Sequence, residues 1–356
     1  KKGKEEAKKL PYTLPGDEKV FTRKAQYQYG WDWGPRFVTC GIWKNVNLHF
    51  WDAVKIRNVN CIQQKITKEK AYLTFIYDVD CEKVGAYYPL VFHPEARHSR
   101  GMMSDSSANN FLKKGKNTIR VNFFIDFPKL WWSNGLGDAH LYNFTIALTQ
   151  KEKPVDQVYK QIGLRTIELV QEKDSVGTSF YFKLNGVPVF MKGANYIPPD
   201  NFLPRATNYT YKNIVAQAKD ANMNMIRVWG GGCYANNVFY YECDKQGILV
   251  WQDFMFACAM YPGDEHFISN VKQEVIDNVN RLKNHPCIAL WCGNNENDEG
   301  WKNWDWQKQY KYSKSDSTKI WNDYTNLFHN VIPNTLDSIS PKTIYWPSSP
   351  SIGWGK

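Results

Sequence analysis

The stretch Ile288-Ala289-Leu290-Trp291-Cys292-Gly293-Asn294-Asn295-Glu296-Asn297 decides the fold. Its first half is a continuous apolar run, as expected of a strand buried on both faces. Its second half turns abruptly to amide and carboxylate side chains. A buried strand that delivers a carboxylate at its C-terminal tip is how a parallel α/β barrel presents reactive groups. A solvated loop, with Asn294 and Asn295 supplying turn geometry, is the competing reading. The flanking sequence separates the two.

Around that strand, apolar strand patterns alternate with helical ones. Strands are predicted at 191–195, 225–229, 248–254, 287–292 and 343–346, and helices at 211–221, 237–246, 267–284 and 318–338. A hairpin pattern about Asn185-Gly186 precedes them. Regular alternation implies a parallel sheet joined by right-handed crossovers. Five strands fall short of the eight a (β/α)8 barrel needs. Residues 166–356 are therefore expected to form the first part of a TIM barrel, with further strand–helix units beyond Lys356.

Upstream, residues 52–165 carry short strand patterns, for example at 54–59, 71–79, 118–124 and 142–149, broken by turn signals such as Ser133-Asn134-Gly135. That spacing predicts an immunoglobulin-like β-sandwich, with 87–110 as a long loop. Residues 1–20 are polar and read as a loop or linker. The segment 21–51 is rich in aromatics around Gly30-Trp31-Asp32-Trp33-Gly34-Pro35, and 42–51 alternates in the strand manner. It reads as the last strands of another β-sandwich. Inside it, the glycines and Pro35 predict a tight turn that pushes Trp31, Asp32 and Trp33 outward or into a neighbour. The opening tract KKGKEEAKK is no signal peptide, and the chain is expected to be an internal fragment of something longer.

Composition narrows the function. The 15 Trp suit sugar rings, whose C–H faces stack on indole, although large β-rich cores also consume aromatics. A net charge of +10 invites nucleic acid, but the lysines are scattered and no nucleic-acid motif accompanies them. No apolar run reaches the ~18 residues of a membrane span. Eight cysteines occur without a CxxC pair or a zinc-site spacing, so no metal and no cofactor is expected. Two sequons, at Asn143 and Asn208, are compatible with the secretory route.

The strand ends should hold the site. They carry Asn195, Arg227 with Trp229, Asp253, Glu296 and Trp346, with Trp304 in the loop after strand four. Gly230-Gly231-Gly232 lacks the partners of a phosphate loop and reads as backbone kept thin beside a pocket. Glycoside hydrolysis needs two carboxylates, about 5 Å apart in retaining enzymes. Glu296 qualifies by position; no second carboxylate is an obvious partner, and Asp253 and His285 read as structural.

Four motifs occur in order: Gly30-Trp31-Asp32-Trp33-Gly34-Pro35, Arg227-Val228-Trp229-Gly230-Gly231-Gly232, Trp251-Gln252-Asp253-Phe254 and Asn294-Asn295-Glu296-Asn297. Together they resemble β-mannosidases of glycoside hydrolase family 2, especially the animal lysosomal type. The resemblance implies a jelly-roll ending at about residue 51, an immunoglobulin-like domain and a (β/α)8 barrel. It implies a retaining exo-hydrolase that removes terminal β-linked mannose from oligosaccharides and works in the lysosome or outside the cell. Glu296 would be the general acid/base and Asn295 would bind near the 2-hydroxyl. Trp31, Asp32 and Trp33 would reach the sugar from the jelly-roll, and Trp229 and Trp304 would line the pocket. The family nucleophile, a Glu at strand seven, has no counterpart here, so this span alone is expected to be inactive. The rivals are another family 2 exo-glycosidase, acting on galactosides, glucuronides or glucosaminides, and a non-catalytic carbohydrate-binding protein.

Overall fold

The computed structural model describes residues 2–94, 102–103 and 111–351. Five strands form one all-parallel sheet in sequential order: Gly193–Tyr196, Met225–Val228, Leu249–Asp253, Ile288–Cys292 and Tyr345–Trp346. Each pairs in parallel with the next, as βαβ crossovers require. All five residues of Ile288–Cys292 are buried, which matches its unbroken apolar run.

The crossover helices carry their own start signals. Thr207 and Thr210 form a capping box on Asn208–Asp220, Asn236 caps Asn237–Gln246, and Asp264 accepts from the Phe267 amide at the head of Glu265–Leu282. Gly247, at φ 72, closes the second helix in the left-handed conformation that glycine adopts without strain. Along Glu265–Leu282, Phe267, Val271, Val275, Val279 and Leu282 are buried at helical spacing and face the sheet.

The predicted fourth helix is not continuous. It runs as Lys314–Thr325, a π-helical turn at Asn326–Val331, and Ile332–Ile339. Pro333 explains the break: it has no N–H to give and its ring crowds the carbonyl one turn back, so the helix widens there. Short helices at Asn297–Asn303 and Trp306–Gln309, which the periodicity does not announce, fill the loop after strand four.

Upstream of the parallel sheet lie antiparallel layers. Val54–Ile66, Lys70–Cys81, Gly115–Asp126 and Met102–Met103 form one sheet, and Tyr88–Phe92, Tyr142–Gln150 and Lys153–Ile162 another. Both sheets feed one core that includes Phe75, Tyr77, Phe123 and Phe144. The 87–110 segment is thus not all loop, since it contains Tyr88–Phe92; residues 95–101 and 104–110 of it lie outside the described residues. Lys153–Ile162 was not anticipated, because Lys, Asp and Gln interrupt its apolar pattern. The hairpin Tyr181–Leu184 and Val187–Val189 turns through Asn185 (φ 52) and Gly186 (φ 80), as an Asn-Gly turn should. Arg165 joins the layers, donating to the carbonyls of Pro286 and Ile288 at the entry to strand four.

Two expectations for the N-terminal region fail. Residues 1–20 are not a linker. Lys2–Ala7 is helical, and Leu14 and Val20 are buried in the core of the α/β unit. Arg23 pins this segment down, with both Nε and Nη2 at 2.8 Å from the Glu274 carboxylate. Nor do residues 21–51 form strands. The chain makes 3-10 turns at Asp17–Phe21 and Gln26–Tyr29 and a tight Trp31–Gly34 bridge, then runs open. Ile42 is 87% exposed and Phe50 86%. An alternating segment becomes a strand only when a neighbour takes its backbone hydrogen bonds and covers its apolar face, and no described residue does so.

Candidate functional site

Three strand ends converge on one buried polar chain. Asp253, at the tip of strand three, is fully buried. Its Oδ1 accepts from Arg227 Nε at 3.2 Å and Trp251 Nε1 at 3.0 Å; its Oδ2 accepts from Arg227 Nη2 at 2.7 Å and the Gly230 amide at 2.9 Å. Burial holds the Asp253 carboxyl above the usual carboxylate range, against the pull of Arg227. For Arg227, burial opposes the charge, but the facing Asp253 outweighs it and the pKa is raised.

The same Arg227 Nη2 donates to Asn295 Oδ1 at 3.1 Å, which settles the amide's orientation and leaves its Nδ2 to donate onward. Asn295 Nδ2 lies 3.1 Å from Glu296 Oε2, and Cys258 Sγ donates to that oxygen at 3.2 Å. Backbone bonds hold the pair: the Asn295 amide donates to Phe256, the Cys258 amide to Asn295 and the Glu296 amide to Ser349. Glu296 itself sits at φ 62, ψ 11, a left-handed conformation unusual for glutamate. Sequence reading missed Cys258; nothing in a lone cysteine within Phe256-Ala257-Cys258-Ala259 marks it. Its thiol pKa is pushed up by burial and then by the Glu296 charge, so it acts as an S–H donor.

The N-terminal turn closes over this chain. Trp31 and Gly34 exchange backbone hydrogen bonds of 2.9 and 3.2 Å. The Trp31 ring meets the Trp229 ring edge-on at 4.8 Å, and Trp33 meets it at 6.0 Å while stacking on Tyr27 at 5.5 Å. Tyr27 is in turn anchored by its amide to the Gly231 carbonyl at 2.9 Å. Trp31, Trp229 and Cys258 belong to one apolar cluster, which connects the turn to the residue that touches Glu296. Lys19 Nζ lies 5.5 Å from the centre of the Trp31 ring; burial lowers its pKa.

Trp31, Trp33, Trp229, Asn295 and Glu296 are thus brought together. Asp32 stands exposed at the tip of the turn. Trp304 is 40% exposed and packs edge-on against Trp306 at 5.5 Å. The triple glycine is thin for a different reason than a pocket. A Cβ on Gly230 would meet the Phe256 carbonyl at 2.5 Å, and one on Gly231 the Trp229 ring at 1.9 Å. Asp253 has both oxygens occupied by donors of the fold itself, Arg227, Trp251 and Gly230. His285 Nδ1 pairs with the buried Asp244, which also accepts from the Cys287 amide. Those three side chains are the one group among the described residues close enough to share a metal ion, and their polar atoms are already engaged with one another and with Tyr240. No helix of the described residues is long and apolar enough to cross a membrane.

Residues 1–44 match the family model for the glycosyl hydrolase 2 galactose-binding domain-like fold, and residues 94–165 the model for glycosyl hydrolases family 2. Both matches give the chain a similarity to glycoside hydrolase family 2. Within it, the similarity lies with β-mannosidases. Beta-mannosidase B of Aspergillus clavatus is 34% identical over 375 residues, covering 99% of this chain and 41% of that protein. Beta-mannosidase B of Aspergillus oryzae is 36% identical over 360 residues, covering 95% and 39%. The crystal structure of a beta-D-mannosidase from Dictyoglomus thermophilum superposes with a TM-score of 0.86 at 38% identity, covering 98% of this chain and 42% of that one. An exo-chitosanase from Amycolatopsis orientalis, at 18% identity and TM-score 0.62, shares the fold alone. The chain therefore spans about 40% of the length of the relatives it matches.

Proposed function

We propose that this chain carries the acid/base half of the site of a retaining exo-β-mannosidase, with Glu296 as general acid/base. The observation that carries the reading is the hydrogen-bonded series Asp253–Arg227–Asn295–Glu296 at the strand ends, with Trp31 and Trp33 packed on Trp229 beside it. A general acid must hold its proton toward the leaving oxygen, and two fixed donors on Oε2 set the rotamer from which the carboxyl can do so. Arg227 fixes the Asn295 amide, so that its position relative to a sugar 2-hydroxyl is set before substrate binds. Trp31 and Trp33 supply indole faces for a pyranose, with the buried Trp229 supporting them from behind, and Asp32 supplies an acceptor for two hydroxyls. Trp304 would join them at the pocket wall. No second carboxylate contacts Glu296 among the described residues. The nucleophile is assigned to no residue of this chain and is left to the part of the relatives that it does not span.

In this reading residues 52–165 are an immunoglobulin-like sandwich and 166–356 open a (β/α)8 barrel, while 1–51 contain the part, residues 1–44, that resembles the end of a galactose-binding domain-like unit. A secretory route to the lysosome or the exterior belongs to the same reading. The test is Glu296→Gln in the full-length protein. Nitrophenyl β-mannoside, whose leaving group needs no proton, should lose far less rate than a mannose-terminated disaccharide. Equal losses on both, or turnover of the parent that prefers β-galactoside over β-mannoside, would sink it.

A further inference from the structure

A cleft of about 600 Å³ opens between the antiparallel sheets and the helices that flank the parallel sheet. It lies away from Glu296. Asn284 and His285 line it and precede strand four, whereas Glu296 follows that strand. Five extended residues separate the two ends by about 16 Å.

Among the described residues that line it, positive charge is in excess. Lys160, Lys212, Lys245 and Arg281 line the cleft against a single carboxylate, Glu242. Among the described residues only Lys245 approaches that carboxylate, at 3.6 Å. Arg281 spends its guanidinium on neutral acceptors, the Ala235 carbonyl and the Asn237 and Asn278 amides. Lys160 is half-buried, and burial lowers its pKa against the opposing influence of the Cys61 thiol. Four cations facing one carboxylate raise the local potential for an anion.

The remaining lining is the chemistry that holds sugars. Tyr159 is 71% exposed and Tyr241 43%, both unusually open for tyrosine. Around them stand the amides of Asn143 and Gln161, fixed to each other at 2.8 Å, and of Asn208. Aromatic faces suit the C–H side of a pyranose, amides suit its hydroxyls, and a cavity of this size suits one or two rings. An extended nucleic acid would need a longer basic track.

We propose that this cleft is a second saccharide site, independent of the reaction assigned to Glu296, that takes a hexose bearing one phosphate or carboxylate group. Calorimetric titration of the full chain, made in a host that adds no N-glycans, tests it with glucose 6-phosphate, glucuronate, glucose and inorganic phosphate. Glucose 6-phosphate or glucuronate should saturate the protein, the pair deciding between phosphate and carboxylate. Glucose and inorganic phosphate should each bind at least about tenfold more weakly, because each supplies half of the contacts. Lys212→Gln/Lys245→Gln, which changes two exposed side chains, should weaken the acidic sugar about tenfold, and Tyr241→Ala should weaken it as well, with the thermal midpoint of both unmoved. Glu296→Gln should leave the binding intact. No saturation by either acidic sugar would overturn the proposal. So would equal affinity for glucose or for inorganic phosphate, unchanged binding in the lysine double variant, or loss of binding in Glu296→Gln.

Discussion

Asp253→Asn should be among the costliest single-atom-scale changes in this chain. The carboxylate takes four hydrogen bonds, two on each oxygen, from Arg227 Nε, Trp251 Nε1, Arg227 Nη2 and the Gly230 amide. An amide has one oxygen, so in either flip its NH2 faces two N–H donors. The change also strips the counter-charge from Arg227, whose side chain is only 17% exposed. Removing one partner of a buried ion pair costs about 3–5 kcal/mol. Arg227 keeps a hydrogen bond to Asn295 and some access to water, which favours the lower end, about 3 kcal/mol. Urea unfolding followed by tryptophan fluorescence reads this directly. With a slope of about 2 kcal/mol per molar, the midpoint should fall by about 1.5 M. In the Arg227→Met background the same change should cost about 2 kcal/mol less, because the stranded charge is gone. A midpoint shift under about 0.3 M, or strict additivity in the double variant, would refute the assignment of this pair as the support of Asn295.

Gly231→Ala should drive the Trp229 ring out of its place, since the new Cβ would sit 1.9 Å from it, and cost about 1–3 kcal/mol with a changed near-ultraviolet dichroism; an unchanged spectrum would contradict the packing. Trp229→Ala, at a residue 7% exposed, should cost about 3–5 kcal/mol and increase quenching of Trp31 and Trp33 by acrylamide. Thiol alkylation at pH 8, read by peptide mass spectrometry, should label the exposed Cys40 first. Burial pushes Cys233 up to about 11 and Cys61 up to about 12, leaving thiolate fractions of about one in a thousand and one in ten thousand. Raising the pH to 10 should increase the thiolate of Cys233 about a hundredfold, and labelling of Cys233 as fast as Cys40 at pH 8 would contradict its burial.

The parallel sheet was legible because its strands are buried on both faces and announce themselves as apolar runs; Ile288–Cys292 is the clearest case. Its helices were legible through their spacing, to within a few residues. The π-turn at Asn326–Val331 was not, since a proline marks a disturbance and not the form it takes. Residues 42–51 misled because alternation describes what a strand would need, and the partner that would satisfy it is not local. Leu14 and Val20 were hidden for the opposite reason: two buried side chains in a polar stretch leave no period. At the candidate site, Glu296 was picked out by its place after a strand and Asn295 by the family resemblance. Their supports were only partly visible. Arg227 and Asp253 stood at strand ends, but their pairing is a property of neighbouring strands in register, and Cys258 contributes through one sulfur at 3.2 Å.

Glu296 occupies a backbone position that asparagine or glycine would fill more comfortably. At φ 62 it carries about 1 kcal/mol of conformational penalty, and as the residue preceding Asn297–Asn303 it offers the helix no side-chain cap. Asparagine would relieve both faults, so Glu296→Asn should raise the melting temperature while removing the carboxylate. Screens that reward thermal resistance alone would therefore enrich variants blind at this position. Under the proposed acid/base role, position 296 would keep its carboxylate at the expense of foldability.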